Sequence, residues 1–331
     1  MERGLLMAFT AVMFWGLLDA SSRYAVVAMN ADPMVFSCLN LMFGAIVLLA
    51  IAGPGVGGLE TMRRGHTWMF GFFRVLMTLF LVFAFTALSA SEVNFMLRVN
   101  VLLGLVAAWL LFDRKPAVTD IPGIALLTGG FITLVARQDD GFLNWAVGLV
   151  VLAAVCDTIL TVIAERHPVS KKATGLKARC RYTGFVLFVT SLFFMLVAFL
   201  IAMAKIWLGD DIGHLPMAVQ EVLMRAPTLG HFTHHGTLIS AFVIGVVLRA
   251  PSMYLYLYAA RLLKSENLMM AATLAPFATL SAESFFVAMG WLEAATLDMW
   301  DVFSGICMTT GALSMVVLRA AAKRRDESST L

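Results

Sequence analysis

The sequence predicts an all-α integral membrane fold of ten transmembrane helices arranged as two inverted five-helix repeats. Three observations carry this expectation. The 331 residues are 60% hydrophobic and only 14% charged, with a mean hydropathy of +0.87. A soluble domain lies nearer about half apolar and about a quarter charged, so one water-soluble core cannot hide this excess. Apolar runs of roughly 20 residues, enough to cross a hydrocarbon core of roughly 30 Å, recur along the whole chain. Finally, strand-period alternation is not evident, which argues against a barrel. The net charge of +3 is unevenly placed, so it bears on topology more than on nucleic acid.

The ten windows lie near 5–28, 33–52, 67–88, 91–112, 118–136, 143–164, 182–204, 236–260, 267–289 and 299–318. The first has a faint look of a signal peptide. It reads as an uncleaved span, because its apolar run continues past Asp19 and lacks a clean cleavage site. It carries Asp19 and Arg23, the third carries Arg74, and the fourth opens on Ser91-Glu92 and carries Asn94, Arg98 and Asn100. The sixth carries Asp157, the eighth Arg249, and the ninth opens on Ser265-Glu266 and carries Glu283. With the N-terminus inside, 17 Lys and Arg fall in inside segments and 3 in outside segments. The positive-inside rule then places both termini in the cytoplasm of a bacterial inner membrane or other plasma membrane. The basic connector 165–181 lies inside and the loop 205–235 outside.

Ten spans divide into halves of five, 1–137 and 138–331, and an odd number per half gives the halves opposite orientation. Internal recurrences agree. Gly71 and Ser91-Glu92 recur as Gly245 and Ser265-Glu266, each displaced by 174 residues, with Arg74 and Arg249 within one residue of that register. Asp113 recurs as Glu293, and Gly123 and Gly129 recur as Gly305 and Gly311, at slightly larger displacements.

Three stretches carry a resemblance: "FWG" at Phe14–Gly16, "WLLFDRKP" at Trp109–Pro116, and a ninth span with Pro276 followed by Glu293. On these the chain resembles the drug/metabolite transporter superfamily, EamA-type. The resemblance implies a ten-helix carrier with two inverted repeats. It also implies a central cavity lined chiefly by helices 3, 4, 8 and 9 and the repeat-opening helices 1 and 6. The family carries a Pro early in helix 4, where this sequence has "MLRVN" at Met96–Asn100.

An ionisable residue within a span costs about 2.5–3.5 kcal/mol on insertion scales, so it usually faces the bundle interior and has a partner. Asn94 and Arg98 are four apart and share a helix face, whereas Asn100 points elsewhere. Arg98, helped by Asn94, is a candidate receiver of a carboxylate or phosphate, because guanidinium stays charged and its fork matches both anions. The alternatives are neutralisation by Glu283, Asp157 or Asp19, and snorkelling of Arg98 from the outer half of its helix. Arg74 and Arg249 extend this to an electropositive path, with salt bridging as the blander role. Asp19 and Arg23, four apart, are expected to pair along the first span. Asp157 is the leading candidate for proton coupling, since a buried carboxylate can load and release a proton, with Asp19 and Glu283 behind it; each can equally serve as a counter-ion. Ser91-Glu92 and Ser265-Glu266 suit a Ser cap followed by an acid at the positive helix end. Tyr254 and Tyr258 share a face and are candidates for lining a substrate cavity.

His231, His234 and His235 have helical spacing but no Cys or HExxH context, so a solvated loop is the expected reading and no metal is assigned. Leu215–Ala226 can form a surface amphipathic helix. The connector's Lys and Arg suit anionic headgroups, which makes membrane lipids a partner. None of the four Cys forms a CxxC pair. Walker A, GxSxG and HExxH motifs are absent. The expectation is therefore not an enzyme, and no cofactor, but a secondary active carrier of a small organic metabolite, anionic or zwitterionic and amino-acid-like. The breadth of the resembling family makes efflux the expected direction. The competing readings are a lipid or lipid-linked sugar flippase, an intramembrane enzyme and a non-transporting scaffold. A homodimer is an open partner state.

Overall fold

The computed structural model describes residues 2–53, 55, 63, 65–113, 117–166, 175–209, 216, 220, 223, 225–262, 271–293 and 298–329. Among these there are helices and no strands. In chain order they are α1 (Glu2–Val27), α2 (Pro33–Ala52), α3 (Gly65–Ala84), α4 (Ala90–Met96), α5 (Val99–Phe112), α6 (Ile121–Ala136), α7 (Trp145–Arg166) and α8 (Leu176–Leu208). They continue as α9 (Leu229–Thr233), α10 (His235–Ile244), α11 (Ala250–Leu262), α12 (Ala275–Ala288) and α13 (Met299–Ser329). Eight stretches among the described residues are long and apolar enough to cross a membrane, and they coincide with the first eight expected windows. The helices α12 and α13 occupy the places of the ninth and tenth.

Local chemistry sets the helix ends. Asp32 opens α2 by accepting from the backbone N–H groups of Met34 and Val35 at 3.0 and 2.9 Å, with Pro33 in the first turn where a missing N–H costs nothing. A capping box opens α4: Glu92 N donates to Ser89 Oγ at 3.1 Å, and Ser89 N donates to Glu92 Oε2 at 2.8 Å. The cap is thus Ser89 and not Ser91, whose hydroxyl is used elsewhere. The Ser265-Glu266 counterpart and most of 215–226 lie outside the described residues. The seventh window begins earlier than hydropathy suggests, because Lys177, Arg179 and Arg181 continue α8 toward its start. Arg181 donates to the carbonyls of Ala52 and Gly53 at 3.1–3.3 Å, placing a cation at the negative end of α2.

Three helices are interrupted at mid-bundle. The fourth window is split at Leu97–Arg98, whose dihedrals (φ −59°, ψ −20° and φ −61°, ψ −13°) are tighter than an α-helix. Three-residue bonds follow: Arg98 N donates to Phe95 O, and Asn100 N to Leu97 O, both at 3.0 Å. No proline is needed here. The ninth is interrupted at Thr273–Leu274, just before Pro276. The eighth contains a π-turn over Gly245–Arg249 between α10 and α11. Pro251 follows two residues later. It lacks an N–H and its ring crowds the carbonyl four residues back, which a widened turn relieves.

The principal helix pairs are α2 with α8, α6 with α13, α3 with α7, α1 with α11, and α1 with α12. Lipid provides little hydrophobic drive between helices, so close approach through small residues matters. A Cβ at Gly16 would stand 2.3 Å from the Ala278 carbonyl carbon. Only glycine therefore lets α1 and α12 cross there. Large apolar side chains such as Leu110, Phe193 and Trp207 remain exposed on the outside of the bundle, as a lipid-facing surface requires.

Candidate functional site

Two polar groupings lie inside this apolar bundle. The first ties α1, α4 and α12 together. Arg23 Nη1 lies 2.5 Å from Glu283 Oε1, and Glu283 is buried. Glu283 also accepts from the N–H groups of Ala90 and Ser91 at 3.0 and 2.9 Å and from the Ser91 hydroxyl. A carboxylate from α12 thus satisfies two of the four orphan donors at the α4 N-terminus. The expected Asp19–Arg23 pair does not form. Each has a stronger claim across the bundle, Arg23 on Glu283 and Asp19 on Asn94.

The second grouping is central. Asn94 donates to Asp19 Oδ2 and to Ala90 O, both at 3.0 Å. Arg98 is buried, and its partners are carbonyls: Nε to Asn94 O at 3.3 Å and Nη1 to Ala272 O at 3.2 Å. The helix 4 break therefore meets the residues just before the helix 9 break. Among the described residues no carboxylate lies within salt-bridge distance of Arg98, so the expected neutralisation by Glu283, Asp157 or Asp19 is not made directly. Asp157 and Asp19 act on it only at Coulombic range. Asn100 donates to Asp157 Oδ2 at 2.7 Å. Asn100, expected to point away from the Asn94–Arg98 face, thus has its partner on α7.

Arg249, at the end of the π-turn, donates through Nε to Asn40 Oδ1 at 3.2 Å. A Cβ at Gly44 would stand 2.7 Å from Arg249 Cγ, so the bare face of α2 is what lets this arginine cross it. Arg74 makes one weak contact, Nη1 to Met77 Sδ at 3.9 Å. Asp19 lies in Coulombic reach of Arg249, Arg98 and Arg74 together.

Tyr254 and Tyr258 stack on each other with centroids 6.4 Å apart, and Tyr254 leans on the apolar cluster of Ala45, Leu48 and Leu187 between α2 and α8. Tyr256 instead meets Trp15 with centroids 5.1 Å apart, in Coulombic reach of Asp157 and Arg74. Sequence reasoning missed Asn40, Tyr256 and Trp15. A lone amide midway along an apolar helix was the available signal for Asn40. Outside the membrane, His231 Nδ1 faces Asp32 Oδ2 at 3.1 Å and His234 accepts from Thr237 N at 3.3 Å. Among the described residues no His, Cys, Asp and Glu group could hold a metal.

Comparison with known proteins adds a similarity over the first part of the chain. Residues 2–136 match the EamA-like transporter family. The match runs from α1 to the end of α6, and with it the resemblance read from the sequence is borne out over that stretch. No curated protein matches the chain. A solved structure described as "Crystal structure of protein" aligns over 96% of this chain and 98% of its own, at 16% identity and a TM-score of 0.57. That alignment shows a shared fold. The eight apolar spans describe a multi-pass membrane protein, and its first part, residues 2–136, is similar to the EamA-like transporter family.

Proposed function

We propose that the chain is a secondary active transporter that moves a small anionic or zwitterionic metabolite, amino-acid-like in its charges, by alternating access. The observation that carries this is Arg98: a buried guanidinium at a helix break, held among the described residues by two carbonyls and by no carboxylate. Three guanidiniums, Arg74, Arg98 and Arg249, stand near two carboxylates, Asp19 and Asp157. A substrate carboxylate completes that balance and gains bidentate hydrogen bonds from Arg98. Asn94 orients Asp19 beside it. Asp157, with Asn100, is the partner for a substrate ammonium or a coupling proton, and Trp15 and Tyr256 supply an aromatic wall nearby. Tyr254 packs against the cluster between α2 and α8, with Tyr258 stacked on it.

The moving parts are two inverted five-helix halves, 1–137 and 138–331, with both termini cytoplasmic. Supporting this, the helix pairs keep their pattern when the halves are exchanged. The pair α1 with α11 has its counterpart in α3 with α7, while α2 with α8 and α6 with α13 each map onto themselves. The family match ending at residue 136 agrees. Interrupted helices meeting at mid-membrane are how such repeats build a site. In this topology Arg23, Glu283 and Ser91 lie toward the outside and hold that side closed, and efflux is the working direction.

The test is transport of labelled amino acids and carboxylates into and out of proteoliposomes, comparing wild type with Arg98→Ala and Arg98→Lys. Movement of unaltered solute that is lost in Arg98→Ala and partly kept in Arg98→Lys is expected. Retained transport with normal affinity in Arg98→Ala sinks the anion-site reading, and lipid translocation without solute movement marks a flippase.

A further inference from the structure

The polar groups not absorbed by Arg98 come from three further elements: Asn40 from α2, Arg74 from α3 and Arg249 from the π-turn before α11. Asn40 is fully buried. Its Oδ1 accepts from Arg249 Nε at 3.2 Å, which fixes the amide's orientation and turns Nδ2 the other way. Among the described residues Asn40 Nδ2 is a buried donor without a hydrogen-bond partner, and so is Arg74 Nε. Arg74 and Arg249 are also like charges in Coulombic reach of each other. Among the described residues neither has a carboxylate at salt-bridge distance, and the one they share at longer range, Asp19, is shared with Arg98 as well.

Buried donors left unmade cost free energy, and two like charges near each other cost more. Each feature has a structural remedy in an ordinary protein, an acceptor or a counter-ion. Here the same remedy serves both: an anionic oxygen accepting from Asn40 Nδ2 and Arg74 Nε while lying against Arg249. We propose that Arg74, Asn40 and Arg249 form a second anion subsite, separate from Arg98, and that the transported solute carries two anionic groups. The class is a dicarboxylate, an amino dicarboxylate, or a carboxylate bearing a phosphate. Arg98 takes one end and the Arg74–Asn40–Arg249 subsite the other. This rests on the transport reading above and extends it from one charge to two.

The chemistry explains why an asparagine occupies position 40. Its amide accepts from Arg249 and keeps a buried donor free for the solute. A leucine there fills similar volume without either bond. Gly44, one turn further, leaves room for the Arg249 stem.

The test uses purified full-length protein in detergent, with binding read by calorimetry and thermal shift. Probes are propionate, the series malonate, succinate, glutarate and adipate, and inorganic phosphate. Wild type should bind its best dicarboxylate at least about tenfold more tightly than propionate, since a hydrogen bond to a charged group contributes about 1.5–3 kcal/mol. Asn40→Leu and Arg249→Gln should erase that preference and keep propionate binding. Arg98→Ala should weaken propionate and dicarboxylate alike. If Arg249→Gln fails to fold, Asn40→Leu decides, because it removes the amide and keeps all three guanidiniums, Arg74, Arg98 and Arg249, in place. Equal affinity for mono- and dicarboxylates in wild type overturns the proposal, as does a preference that survives Asn40→Leu. Anionic lipid that stabilises wild type and not Asn40→Leu, with dicarboxylates inert, would assign the subsite to a headgroup and equally overturn it. An Arg98→Ala variant with unchanged propionate binding would instead sink the Arg98 reading, leaving the dicarboxylate preference to be judged on its own.

Discussion

Arg23 and Arg98 are both arginines within apolar helices of one bundle, yet their surroundings differ. Arg23 has Glu283 at 2.5 Å, and that carboxylate also receives the first N–H groups of α4. Among the described residues Arg98 has two carbonyls and no carboxylate at that range. A paired charge whose partner is saturated with hydrogen bonds holds two elements together. A buried charge given carbonyl dipoles keeps most of its attraction for an anion that arrives. The difference separates a fastening from the site we propose, whereas spacing in the sequence pairs Arg23 with Asp19 and offers Glu283, Asp157 or Asp19 to Arg98.

Four substitutions test this contrast. The largest effect is expected from Glu283→Ala. It leaves Arg23 unpaired in the bundle and strips the α4 N-terminus of its acceptor, so the loss should be about 3–5 kcal/mol. Unfolding in detergent by denaturant or heat measures it, and a near-neutral result would mean that the Arg23–Glu283 grouping fastens nothing. Arg98→Ala should do the reverse. Transport should fall about a hundredfold, the scale of about 2–5 kcal/mol for losing one partner of a buried charged pair, with little change in unfolding. A collapse of stability with residual activity preserved would exchange the roles of the two arginines. Asp157→Asn is subtler: the hydrogen bond from Asn100 can persist, but the proton site is gone. Substrate movement should continue while its dependence on an imposed pH gradient disappears, and an unchanged dependence removes Asp157 from coupling. The smallest effect belongs to Ser89→Ala, which removes half of a capping box and should cost about 1 kcal/mol.

Much of the architecture was legible because the membrane imposes it. Windows of about 20 apolar residues placed the first eight spans, since a bilayer tolerates little else. Charged positions within spans were also conspicuous: Asp19 has Arg74, Arg98 and Arg249 in Coulombic reach, and Asp157 has Arg98. Spacing along one helix told less. An ideal helix turns Asn100 away from Arg98, but only the structure gives Asn100 its partner across the bundle, Asp157. The same spacing puts Tyr254 and Tyr258 on one face, where they stack on each other, while Tyr256 meets Trp15 of α1. Asn40 carried a faint sign as an amide in an apolar helix, but nothing in sequence tied it to a residue 209 positions away.

By itself the sequence determined the solvent this chain lives in, the number and place of its first eight apolar spans, and which few residues bear the cost of charge inside them. Composition and window length suffice for that, because transfer into lipid is nearly additive along a chain. Which charges meet was decided only by tertiary structure. Pairing energy depends on distances between helices and on where a helix breaks, and neither is a property of any one segment.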